Sequence, residues 1–178
     1  MPTIFSHPAA PVALAMGLGR KVVSGRLLIA GVVASALPDL DVLAFRLGIP
    51  YAAEWGHRGF SHSLLFAFIV AVIGAGLARP LHATAIRAFW FLFVSMASHG
   101  ILDTFTNGGL GIALLWPWSN QRFFAPWQPI EVAPLSLARF LSPKGLAVLQ
   151  SEALWIWLPT MALAAIAVVI RRYRTRAG

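Results

Sequence analysis

The fold class this sequence predicts is an all-α integral membrane bundle, with about four to five apolar helices at roughly 20 residues per span. Three observations predict it. Hydrophobic residues fill 58% of the 178 positions and charged residues only 11%, against roughly 25% charged in a soluble domain. Five apolar runs stand out, at 8–19, 22–38, 63–78, 88–102 and 153–170. The basic residues that give the chain its net charge of +8 lie mostly beside those runs, as topology determinants do. That placement argues against a nucleic-acid partner, since only RRYRTR at 171–176 is a true basic cluster.

The runs at 8–19 and 22–38 are divided by Arg20 and Lys21, with Gly17, Gly19 and Gly25 close by, and read as a short helical hairpin. The runs at 63–78, 88–102 and 153–170 approach spanning length with their flanks. Pro159 in the last of them is tolerable in a membrane helix, where neighbours absorb a kink. Between the fourth and fifth runs, 104–151 holds five prolines and the tryptophans Trp116, Trp118 and Trp127. It reads as an interfacial lid within a single domain, with short helices around 110–115 and 135–150, because tryptophan favours the headgroup layer. Cysteine is absent, which removes disulfides and thiolate ligands. MPTIFSHPAAP lacks the basic start of a cleavable signal peptide.

Basic residues set the expected orientation. With Arg20, Lys21 and Arg26 cytoplasmic, alternation puts Arg79, Arg87 and the C-terminal cluster on the same side. The acids and His7, His57, His62 and His99 then gather at the outer face or its membrane edge. His82, in RPLH, falls on the inner side as a bystander.

Imidazole and carboxylate together suit a borderline divalent metal such as zinc. His99 and Asp103 are four apart on one predicted helix face, so both can reach one ion; a helix-interface histidine with a capping aspartate fits the same spacing. Asp39 and Asp41 follow Pro38 at the end of an apolar run. There the helix macrodipole disfavours them and a cation would compensate, although a solvated turn also uses Pro and Asp. In HRGFSHS, Gly59 permits a tight turn, Ser61 is placed to cap a helix opening at His62, and Arg58 offers a planar fork to an anion. His57 fits a ligand or a loop histidine. His7 opens the first apolar run on the ligand side. Glu54 is a candidate general base, or a carboxylate orienting a ligand imidazole. No phosphate-binding glycine loop, GxSxG elbow or HExxH helix is present.

SHPAAPVALAMGLG, PDLD, HRGFSHS, SHGILDTFTNGG and LLWPWSNQRFF, spread over residues 3–130, resemble in order and spacing the bacterial membrane-bound metal-dependent hydrolases, YdjM-like. That family is in turn similar to zinc-dependent phospholipases C and single-strand nucleases, whose helical sites hold zinc through His and Asp. The resemblance implies phosphoester hydrolysis, with His7, Asp39, His62, His99 and Asp103 as ligands of a divalent metal, zinc by preference. The soluble relatives add a later His and Glu pair. This chain has no histidine after Asp103, which implies one or two metal ions.

The resulting expectation is a multi-pass membrane hydrolase that acts on a phosphoester, plausibly a lipid headgroup, with a metal-activated water. Asp41 and His57 stand in or next to the ligand set, Arg58 holds the substrate's anionic oxygens, and Thr104 and Asn107 hydrogen-bond ligands or substrate. Two alternatives stand beside it. A non-enzymatic membrane protein would close the same metal with protein ligands. A transporter would place its acids near the bilayer midplane.

Overall fold

The computed structural model describes residues 1–134 and 136–177, so residue 135 of the predicted 135–150 helix lies outside the described residues. Apolar periodicity and polar breaks give helices α1 (Ala9–Leu18), α2 (Gly25–Ala36), α3 (Leu64–Gly76), α4 (Ala85–Thr104), α5 (Leu137–Phe140), α6 (Pro143–Glu152) and α7 (Leu158–Ala177). Tighter 3-10 turns cover Leu37–Leu47 and Phe60–His62, and a wider π turn, Ala153–Trp157, joins α6 to α7. Among the described residues there is no strand, only the isolated bridges Thr106–Ile130 and Ile112–Phe123. The all-helical expectation is met.

Helix starts follow hydroxyl chemistry. Ser24, Ser63 and Thr84 each accept a hydrogen bond from the backbone N–H three residues on, satisfying a donor that the first turn leaves free. The cap of α3 is therefore Ser63, and the expected cap at Ser61 is corrected. The helix opens at Leu64, one 3-10 turn after His62, because Ser61 is drawn away to Asp41.

α4 is the centre of the bundle, packed by α2 and α3 and touched by α1, while α7 leans on α1. The core between α2, α3 and α4 is built from Leu27, Ala34, Ala67, Ala71, Phe91, Leu92 and Met96. Small side chains let helices approach where no hydrophobic force acts between them, as where Gly17 faces Ala167.

Among the described residues, three stretches are long and apolar enough to cross a membrane: Gly25–Leu47, Ala85–Thr104 and Pro143–Arg176. This corrects the sequence expectation in one place. The second run reaches spanning length because helical turns continue through Pro38 to Leu47, with proline in the first 3-10 turn, where its missing N–H costs nothing. The third run stops at Gly76 after 13 residues. Asp39 consequently opens a new turn and does not close a helix. A second correction concerns 110–115, which forms turns around the Ile112–Phe123 bridge and no helix. Here Ala113 N donates across the loop to Arg58 O, and Leu114 O accepts from Leu64 N, so these groups are engaged outside any local helix.

Candidate metal centre

The start of α1, the 3-10 segment after α2, the turn before α3 and the last turns of α4 all meet at one end of the bundle. They bring together His7, Asp39, His62, His99 and Asp103, none of them more than 4% exposed. His7 Nε2 lies 3.8 Å from Asp39 Oδ2 and 3.7 Å from Asp103 Oδ1. His62 Nε2 lies 3.5 Å from Asp103 Oδ2, and His99 Nε2 lies 3.3 Å from Asp39 Oδ1. Donors bound at about 2.0–2.1 Å around a tetrahedral ion sit roughly 3.3 Å from one another. The spacing therefore fits chelation. Two ligand groups, His7–His99–Asp103 and Asp39–His62–His99, each keep their atoms within 4.8 Å and share His99.

Contacts on the far side of the His99 and His62 rings aim them. His99 Nδ1 donates to the Ser35 carbonyl at 2.7 Å, which leaves Nε2 as a lone pair facing inward. His62 Nδ1 faces Asp41 Oδ2 at 3.1 Å and Ser61 Oγ at 3.0 Å. With those partners and both rings neutral, as ligation requires, the two Nε2 atoms meet lone pair to lone pair at 3.0 Å. A cation between them removes that repulsion. Both nitrogens of His7 and all four carboxylate oxygens of Asp39 and Asp103 are buried without a hydrogen-bond partner among the described residues. Each unsatisfied buried group costs about 1–3 kcal/mol, and more if charged. Donor set, spacing and orphaned atoms together fit a divalent metal.

Burial holds the His7 imidazole down at about 3, so it is neutral and able to donate a lone pair. Burial also presses the His62 ring down, but the facing carboxylates of Asp103 and Asp41 outweigh it and raise that ring to about 9. Carboxylates that favour a proton there favour a metal cation for the same reason.

Asp41 orients imidazoles. One of its oxygens holds His57 Nδ1 at 2.5 Å, and the other accepts from Arg58 N and Ser61 Oγ and faces His62. His57 lies one ring further out, 5.9 Å from the His62 centroid. Neither belongs to the two ligand groups. Arg58 is fully buried and adopts a left-handed φ of 62°, the strained position of the turn. Gly59 is needed for a different reason, since a Cβ there would sit 2.1 Å from the Glu54 carbonyl. The Arg58 fork is already engaged: its terminal nitrogens donate to Gly108 O at 2.7 Å and Thr106 Oγ1 at 3.1 Å, and Nε faces Asp103 at 3.5 Å. It therefore supports Asp103 from within.

The remaining predicted residues lie elsewhere. Glu54 is exposed and accepts from Trp116 Nε1 and Asn120 Nδ2, so it orients no imidazole. Thr104 donates to the Ile101 carbonyl of its own helix, and exposed Asn107 accepts from Val132 N. Two contributors were not anticipated. Thr106 anchors Arg58, and Arg122 donates to the carbonyls of Tyr51, Ala53 and His57, stapling the turn that carries His57 and Arg58. Only the position of Arg122 in the LLWPWSNQRFF block hinted at it. A cavity of about 400 Å³ lined by Met1, Ile4, Asp39, Val42, Phe45 and Arg46 opens on the cluster at Asp39.

Fold and cluster define a helical membrane protein with a buried His/Asp centre at one end. The chain belongs to the YdjM inner membrane protein family, whose model matches residues 1–177, well past the 3–130 of the motif resemblance. It is similar to inner membrane protein YbcI of Escherichia coli (strain K12), 50% identical over 164 residues that cover 92% of this chain and 95% of that protein. It also resembles uncharacterized protein YvsG of Bacillus subtilis (strain 168), 33% identical over 94 residues, 49% of this chain and 54% of that one. No solved structure matches the chain. The protein is thus an inner membrane protein by family, and none of these names states a reaction.

Proposed function

We propose that this chain is a membrane-bound, metal-dependent hydrolase of phosphoesters, with zinc as the preferred ion. The observation that carries the proposal is the convergence in one buried site of seven polar atoms without a partner among the described residues, including both His7 nitrogens and all four Asp39 and Asp103 oxygens. His7, His99 and Asp103, together with Asp39 and His62, would hold the metal, and Asp41 and the Ser35 carbonyl would fix the imidazoles. Such an ion supplies Lewis acidity toward a phosphoryl oxygen and a more acidic water.

Substrate reaches the centre through the cavity at Asp39. Its walls of Ile4, Val42 and Phe45 suit a hydrocarbon chain, and Arg46 supplies a cation for an anionic headgroup. Arg58, engaged internally, sets the charge at Asp103, and the substrate's anionic oxygens go to Arg46 in its place. A lipid phosphoester matches that pairing. Placing the basic end in the cytoplasm, with the C-terminus, puts the centre on the periplasmic face.

Metal analysis of the detergent-purified protein tests this, paired with hydrolysis of a phospholipid in mixed micelles before and after chelation. The expected result is stoichiometric metal in the wild type, none in Asp103→Ala, and chelator-sensitive hydrolysis. Wild-type protein without stoichiometric metal overturns the reading. A second reading, a closed structural metal in a non-enzymatic membrane protein, is favoured by the near-complete burial of all five ligands. Tightly held metal that neither exchanges nor supports hydrolysis would select it.

A further inference from the structure

His7 differs from the other two imidazoles of the centre. His99 and His62 are aimed through Nδ1, by a backbone carbonyl and by Asp41. Metal-bound histidines are normally oriented by such a partner on the second nitrogen. His7 has none among the described residues; its ring only stacks on His99, with centroids 3.5 Å apart. Its direction is therefore set by the backbone that carries it.

That backbone is gripped from the opposite end of the chain. Glu152, at the last position of α6, is 2% exposed. One of its oxygens accepts from Thr3 N; the other accepts from Thr3 Oγ1 and Ser6 Oγ, each at 2.7 Å. Ser6 Oγ also accepts from Trp157 Nε1 at 3.1 Å, and Ser6 N donates to Thr3 O, closing the turn. Ala9 and Ile156 pack together just beyond. The π turn Ala153–Trp157 follows Glu152 directly, so the helix widens at the point where the carboxylate and Trp157 must both face this turn. A buried carboxylate with three donors from four consecutive residues is a clamp, and the next residue is His7.

We propose that Glu152 is the positioning residue for His7: it holds the Thr3–Ser6 turn so that the imidazole enters the metal centre. The inference rests on the metal reading above. Glu152→Gln keeps the shape but turns an amide N–H toward the converging donors.

The test titrates zinc into detergent-purified protein after metal removal and records the visible spectrum of the cobalt-loaded form, which reports the ligand set. Wild type, Glu152→Gln, His7→Ala and the double variant are compared, with Thr3→Val in place of Glu152→Gln should the latter fail to fold. Glu152→Gln is expected to weaken zinc binding about 10- to 100-fold, the usual cost of losing an orienting group, and to shift the cobalt spectrum toward that of His7→Ala. In the His7→Ala background it is expected to add nothing. Unchanged affinity with only a lowered melting temperature overturns the proposal, as does an undiminished loss in the His7→Ala background. Wild type that binds no zinc brings down the metal reading and this inference with it; zinc-binding wild type with an unaffected Glu152→Gln brings down the inference alone.

Discussion

At one end of the bundle Arg20, Lys21, Arg26, Arg79 and Arg87 stand exposed, and their demands are slight. Arg26 donates to the Pro80 carbonyl, Arg87 to that of Lys21, and Arg171 to those of Met16 and Gly17. At the other end the chain buries four histidines, two aspartates and Arg58, with seven polar atoms lacking a partner among the described residues. Exposed cations beside helix ends cost little and add little, since water and headgroups satisfy them. Buried, unpaired carboxylates cost several kcal/mol each and persist only where something compensates. The contrast teaches that charge placed along the same helices meets two environments: at one end solvent satisfies it, at the other buried groups face one another unsatisfied.

The comparison can be broken outright by sidedness. The chain has no native cysteine, so exposed Gln121→Cys, next to the Arg122 that staples the His57 turn, and exposed Ala85→Cys, near the basic end, give clean single labels. In intact cells a membrane-impermeant thiol reagent is expected to label the first and spare the second until the membrane is opened. The opposite pattern would place the His/Asp centre in the cytoplasm.

A smaller effect sharpens the role of Asp41. Asp41→Asn keeps the size but loses the charge that holds His57 and His62, and metal affinity is expected to fall about 10- to 100-fold, read by competition with a chromophoric chelator. An unchanged affinity would mean that His62 is aimed by its backbone.

Smaller again is a packing change. A Cβ on Gly100 would lie 2.5 Å from the His62 carbonyl, where α4 touches the turn. Gly100→Ala is expected to cost about 1–3 kcal/mol through overpacking and to lower the thermal midpoint and metal occupancy together. Smallest is Arg87→Ala at the basic end, expected within about 0.5 kcal/mol of wild type with full metal content. A large loss there would show that the two ends are not independent.

The sequence allowed much of the fold to be read, because hydropathy and helix caps are local properties. The five apolar runs reappear as α1, α2, α3, α4 and α7. Where the reading slipped, at Pro38 and at Gly76, the outcome depended on what each end packed against. The helix expected at 110–115 failed for a similar reason, since its backbone bonds run to Arg58 and Leu64. His7, Asp39, His62, His99 and Asp103 were recognisable by residue type in a chain poor in charge, and they do come together. The partners Glu54, Thr104 and Asn107 were chosen for nearness in sequence, and their hydrogen bonds go elsewhere.

Composition and pattern alone determined that the chain is helical, lies in a membrane, and keeps its imidazoles and carboxylates apart from most of its cations. Tertiary structure alone decided which nitrogen of each ring faces inward, that Arg58 turns beneath Asp103, and that Glu152 reaches back to Thr3 and Ser6. The physical reason is range. Periodicity and hydropathy act over one or two turns of chain, whereas aiming a ligand depends on groups that only the packing of distant helices brings within hydrogen-bond reach.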